Sequence, residues 1–269
     1  MGLRAGKRAV RSLAAVALVL LAARAAAQEV RDPRAVQPER PTVATHAGTV
    51  ETGWLEIEAG VERDRLGGSP ATLSTPTVFK LGLAERAQLS ILATTLHAGS
   101  TTRFGDLAAG VKWRVLEDAM VLGDFALLPT VKIPTGDSDS GAGTGTTDVS
   151  LLAISSHALG PVALDVNVGY TRRSGDGSRA PRDASLWTIS FGGPIVSRLG
   201  WVGECYGYPG TSGPNGQAPI VAVLGGPTFL IRPWLALDAG FIGRVSGPQP
   251  RALYAGTVYN VGRLWRARH

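Results

Sequence analysis

The chain has a single cysteine, Cys205, so no intramolecular disulfide can brace it. It has four histidines, His46, His97, His157 and His269, and no two of them stand at a spacing that binds metal from a helix or hairpin. No metal site and no cofactor are expected. Aromatic residues, 6% of the total, do not interleave with basic ones into a stacking groove, which argues against nucleic acid as a partner. The longest apolar run, Leu13 to Ala23, falls well short of the roughly 20 residues a membrane-crossing helix needs. Extended helical patterns are missing as well, whereas 35 glycines and 17 prolines favour β-structure with many turns.

The short apolar run has another use. Arg4, Lys7, Arg8 and Arg11 precede it, and Ala25-Ala26-Ala27 follow it ahead of Gln28, the order of a secretory signal peptide over residues 1–27. Cleavage there removes five basic residues, Arg24 included, and no acidic ones, leaving 22 basic against 21 acidic. The formal charge of +6 therefore describes the precursor. Residues 28–48, polar and carrying Pro33, Pro38 and Pro41, read as an extended periplasmic leader. Residues 49–262 read as one all-β domain, with 263–269 as a tail.

Within that domain Leu107 to Val115 alternates strictly. Leu107, Ala109, Val111, Trp113 and Val115 form one face, and Ala108, Gly110, Lys112 and Arg114 the other. Its length suits a tilted membrane-crossing strand of about 9 to 11 residues. The stretch Trp54 to Glu62 sets Leu55, Ile57, Ala59 and Val61 against Glu56, Glu58 and Glu62, and three carboxylates on one face need water beside them. About twelve such strands follow one another, the clearest being Val162 to Thr171.

The connections decide between architectures. Long polar links follow strands one, three, five, seven, nine and eleven, and short ones follow the even strands. A transmembrane antiparallel β-barrel sorts its loops in this way, with periplasmic turns at one rim and extracellular loops at the other. A β-sandwich has no reason to do so. The predicted fold is thus a barrel of about 12 strands in the bacterial outer membrane, its apolar face toward lipid. The inward candidates are Glu56, Glu58, Glu62, Lys80, Lys112, Arg114, Asp124, Lys132, Asp165, Asn167, Glu204 and Asp238. They either select solutes or neutralise one another across the lumen.

Several stretches resemble the outer-membrane transporter family assigned to the meta-cleavage pathway of phenol degradation. They are Arg40-Pro41, Gly53-Trp54-Leu55-Glu56-Ile57-Glu58-Ala59-Gly60, Thr75-Pro76 with Leu81-Gly82-Leu83, Gly105-Asp106-Leu107 with Gly110 and Lys112, and Ile133-Pro134-Thr135-Gly136. The resemblance implies passive passage of small, hydrophobic or aromatic solutes and brings no catalytic residues. Tyr254, Gly256, Tyr259 and Val261 resemble the terminal signal read by the barrel-assembly machinery. Partners expected on this reading are outer-membrane lipid, that machinery and a small-molecule solute.

Other chemistry is weak. Ser155-Ser156-His157 brings a nucleophile type beside a base type, but strand neighbours point to opposite faces, so Ser156 and His157 form no triad by adjacency. No enzyme is expected. Asp137-Ser138-Asp139-Ser140-Gly141 spaces its oxygens like a calcium loop but lacks the later glutamate, and reads as a solvated extracellular loop. Two alternatives to a channel stay open: a structural or adhesive barrel with a plugged lumen, and a soluble exported β-sandwich that binds a ligand.

Overall fold

The computed structural model describes residues 32–65, 71–177, 181–210, 212 and 218–266. The predicted signal peptide, His269 and the end of the tail lie outside the described residues. Thirteen antiparallel strands form one sheet: β1 (Trp54–Arg65), β2 (Thr72–Ala84), β3 (Ala87–Ala98), β4 (Thr101–Phe104), β5 (Leu107–Ala119), β6 (Gly123–Ile133), β7 (Asp148–Leu159), β8 (Val162–Arg173), β9 (Asp183–Val196), β10 (Leu199–Tyr208), β11 (Ile220–Arg232), β12 (Leu235–Ser246) and β13 (Arg251–Arg263). Neighbours in sequence pair with one another except that β5 pairs with β3 and not with β4, and β1 pairs with β13, so the sheet closes. Closure pairs the backbone polar groups of the wall and leaves no edge in lipid.

Twelve strands build the wall. The thirteenth, β4, is a four-residue extension folded back on β3 beyond the point where β5 takes over. Links of two or three residues join β2–β3, β5–β6, β7–β8, β9–β10 and β11–β12, and longer links join the strands at the other rim. By that sorting the short-turn end is periplasmic. The strands run further toward the long-loop rim than their alternation suggests, so that only residues 247–250 separate β12 from β13.

The outer surface is an apolar belt, with Phe79, Ile91, Val111, Trp113, Val131, Val168, Phe191, Phe229, Phe241 and Leu253 all exposed. Such a surface is stable against hydrocarbon and costly in water. On β5 the outward series ends at Trp113. A register shift between Arg114 and Leu116 puts Leu116 outward in place of the expected Val115, which is half-buried.

The inner surface is mixed. Fully buried Glu56, Glu58, Lys80, Gln88 and Lys112 share it with two apolar clusters. One is Tyr206, Ala222, Leu224, Ile242, Ala252 and Tyr254 on β10 to β13, and the other is Ala47, Ala126 and Ile154 with Leu128 and Leu152.

Candidate functional site: a leader held inside the lumen

Charged side chains inside a barrel need partners or water. Here the partner is the backbone of the chain's own leader. Residues 28–48 read from sequence as an extended periplasmic leader, which leaves open whether it enters the lumen; the described part of that segment lies inside it. It enters at the periplasmic rim, where Val36 N donates to Pro233 O at 2.8 Å and the Arg34 guanidinium lies 5.0 Å from the Trp234 ring. It then runs up the lumen, crosses it near Val43 and returns to the periplasmic end of β3 at Val50.

An extended segment with no strand beside it must find acceptors for its N–H groups. The wall supplies them. Gln37 N donates to Glu56 Oε2 at 3.0 Å, and Glu39 N and Arg40 N donate to the two oxygens of Glu58 at 2.8 Å each. Val43 N and Ala44 N donate to Glu204 at 2.9 and 2.7 Å. Asn167 makes a reciprocal pair with Thr45, accepting from its N–H at 2.7 Å and donating to its carbonyl at 3.0 Å. Ala47 N donates to Ser156 Oγ and Val50 N to Gln88 Oε1, both at 2.8 Å.

Two lysines serve the carbonyls. Lys80 Nζ is ion-paired with Glu56 at 2.6 Å and with Glu58, and it donates to Gln37 O. Lys112 Nζ pairs with Glu39 at 2.5 Å and donates to His46 O and Gly48 O at 2.9 Å each. Seven of the inward candidates therefore meet at this segment or directly behind it: Glu56, Glu58, Lys80, Lys112, Asn167, Glu204, and Asp165 through its 2.6 Å bond from Ser156.

The other five stand elsewhere. Arg114 is at the periplasmic rim, paired at 2.9 Å with Glu117, which also binds Arg86. Asp124 is in the β5–β6 hairpin and accepts from Asp118 N at 2.9 Å, so it shapes a turn. Lys132 is at the extracellular mouth, bound to Asp106 at 2.6 Å and to Asp148 at 3.4 Å. Asp106 also accepts from Gly136 N and Thr144 N at 3.0 Å each, which draws the 134–147 link over the mouth. Burial works against ionisation of Asp106, but Lys132 and the two amides outweigh it and hold its carboxyl below the usual aspartate range. Glu62 and Asp238 face the lumen with no ion-pair partner among the described residues.

Two cavities flank the leader. One of about 340 Å³ lies above its crossing, lined by Glu39, Arg40, Glu62, Val78, Leu92 and Leu152 among others. The other, about 350 Å³, lies toward the periplasmic rim between Val36 and Pro38 of the leader and Gly200, Thr228 and Ala236 of the wall.

Gln88, Ser156, Glu39 and Arg40 also belong to this site and are not among the inward candidates. Gln88 and Ser156 occupy inward positions and are legible as such; the two leader residues carry no alternation to place them. Ser155 and His157, two residues apart on one face, are in contact at 2.9 Å, but Ser155 also donates to Leu122 O, which engages its hydroxyl proton. In the acidic loop Asp137 accepts from Asp139 N and caps the turn, and no cluster suited to a metal occurs among the described residues.

A family model described as "Putative MetA-pathway of phenol degradation" matches residues 40–260. Among solved structures, an outer membrane channel from Pseudomonas putida F1 superposes with a TM-score of 0.57 at 14% identity, over 80% of this chain and 97% of that one. The KdgM porin in complex with disordered oligogalacturonate gives 0.53 at 10% identity, over 77% and 99%. The NanC porin gives 0.52 at 13% identity, over 76% and 98%. At such identities the likeness is one of fold, that of outer-membrane barrels. Comparison with curated protein sequences returns no match.

Proposed function

The chain belongs to the MetA-pathway phenol-degradation family, and on that premise we propose that it is an outer-membrane channel through which small solutes with an apolar body pass down their gradient. The observation that carries this reading is the upper cavity, where Val78, Leu92, Leu128 and Leu152 face the polar backbone of the leader and the Glu62 carboxylate. An apolar wall with a few polar groups suits an amphipathic molecule better than a sugar. The inward ionic groups hold the leader and thereby fix the bore. No catalytic step is assigned to any residue.

Liposome swelling tests the reading. Proteoliposomes are expected to swell faster in sodium benzoate than in an isotonic disaccharide. Equal rates would remove the preference for an apolar body. A second reading, a barrel closed by its own leader, is favoured by the occupation of the periplasmic half of the lumen. It requires that the full-length protein pass neither solute nor ions.

A further inference from the structure

On the outside of the wall, the seam between β1 and β13 breaks the apolar pattern. The outward residues of β1 are Ile57, Ala59, Val61, Arg63 and Arg65, and opposite them on β13 stand Tyr259, Thr257, Ala255, Leu253 and Arg251. The apolar belt therefore ends above Val61. Arg65 and Arg251 face one another directly in the row where both strands meet the extracellular rim. Like charges set directly opposite destabilise a strand pair. No ion pair among the described residues joins Arg63, Arg65 or Arg251 to a carboxylate. Asp64, between the first two, points to the other face. The outer surface treats Arg172 of β8 differently: its cross-strand partner is Asp183 of β9, which accepts from Nη1 at 2.6 Å.

The three arginines edge a cleft of about 440 Å³. Phe241 of β12 and Leu253 of β13, cross-strand partners and both exposed, form its apolar floor. Gly243 lines it on the same face, two residues along from Phe241. A Cβ at Gly243 would lie 3.7 Å from the Phe241 ring and 3.4 Å from Val223, so a side chain is tolerated there and the glycine leaves the ring open. Rows two residues apart are separated by about 7 Å along a strand. Cations thus lie one row above an apolar seat, at the height where lipid head groups meet hydrocarbon.

We propose that this cleft is a binding site for the bis-phosphorylated glycolipid of the outer leaflet. Its phosphates lie on Arg65 and Arg251, with Arg63 beneath, and an acyl chain lies against Phe241 and Leu253. The site rests on the outer-membrane placement of the wall and not on conduction through it. Guanidinium forks match phosphate oxygens in pairs. A phosphate monoester carries about −1.5 to −2 charge at neutral pH, so two of them neutralise three guanidiniums, which a zwitterionic phospholipid cannot do. Bound across Arg65 and Arg251, the glycolipid turns a repulsive row into a clamp on the seam where the first and last strands of the barrel meet.

The test titrates the full-length protein in detergent with bis-phosphorylated lipid A and follows adducts by native mass spectrometry, with the folding of each variant checked by heat-modifiable migration. The wild type is expected to hold one lipid A and to bind it about tenfold more tightly than phosphatidylethanolamine. Arg65→Gln combined with Arg251→Gln should lower lipid A affinity about tenfold, since charge-assisted hydrogen bonds are lost. Gly243→Val keeps every charge, fills the cleft and should weaken binding several-fold. Arg172→Gln, on the outer surface but away from the seam, should leave it unchanged. Failure of the wild type to bind lipid A, or equal binding by the double variant, would overturn the proposal. An equal loss in Arg172→Gln would overturn it too, because attraction would then be general to the cationic surface. Undiminished binding by Gly243→Val would rule out seating in the cleft. A lipid-free dimer that disappears in the double variant would assign the patch to a second copy of the chain instead.

Discussion

Lys80 and Glu56 are cross-strand partners on β2 and β1, joined by a 2.6 Å ion pair with both side chains fully buried. The pair is the root of the leader's attachment, because Glu56 accepts from Gln37 N and Lys80 donates to Gln37 O. Removing one member of a buried ionic group leaves the remaining charges uncompensated and costs about 3 to 5 kcal/mol.

Lys80→Met is therefore expected to loosen the leader while the wall persists. A cysteine placed at Ala44 in a Cys205→Ser background should be labelled slowly by a membrane-impermeant maleimide in the parent and much faster in Lys80→Met. Equal labelling rates would show that Lys80 does not hold the leader.

The hydroxyl of Tyr254 fills the space a side chain at Gly240 would need, and the Gly225 carbonyl crowds the same point. Gly240→Ala forces the wall apart, with an overpacking cost of about 1 to 3 kcal/mol. The unfolding midpoint followed by gel migration should fall. Adding Tyr254→Phe should not restore it, because the carbonyl remains. Full restoration by Tyr254→Phe would show that the clash is with the hydroxyl alone.

Asp106 ties Lys132 to the link over the extracellular mouth, and its carboxyl is held below the ordinary aspartate value of about 3.9. A group whose folded pKa is depressed contributes stability that is complete above its unfolded pKa and lost as pH falls through the folded one. The 134–147 link should resist added protease at neutral pH and down to about pH 4, and open below that. Asp106→Asn should be cleaved at neutral pH as readily as the wild type is at acid pH. A protection that does not change with pH in the wild type would contradict this role.

The wall is largely legible because β5 and β8 keep small or polar residues inward, as at Gly110, Lys112, Asp165 and Asn167, so alternation is sharp there. It blurs over β10 to β13 for a physical reason: Tyr206, Leu224, Ile242 and Tyr254 turn apolar groups inward as well, and both faces then look alike. The short β4 escapes notice because four residues are too few to show a period. The leader's extended form follows from its prolines and polarity, but its place does not. Val43 meets Glu204 across 161 residues of sequence, and nothing local in either segment signals the other. Parity alone assigns Arg114 and Asp124 to the lumen; close to a turn, a long side chain and a register shift allow both to bind at the rim.

On the channel reading, a leader fixed in the bore by the wall limits conduction without abolishing it. Single-channel recording of the full-length protein beside a variant lacking residues 34–50 tests this most directly. The expected result is a small, steady conductance for the full-length protein and one several-fold larger for the deletion, as a bore freed of a chain would give. Silence from the full-length protein together with conduction by the deletion would contradict it, and would mark the leader as a plug.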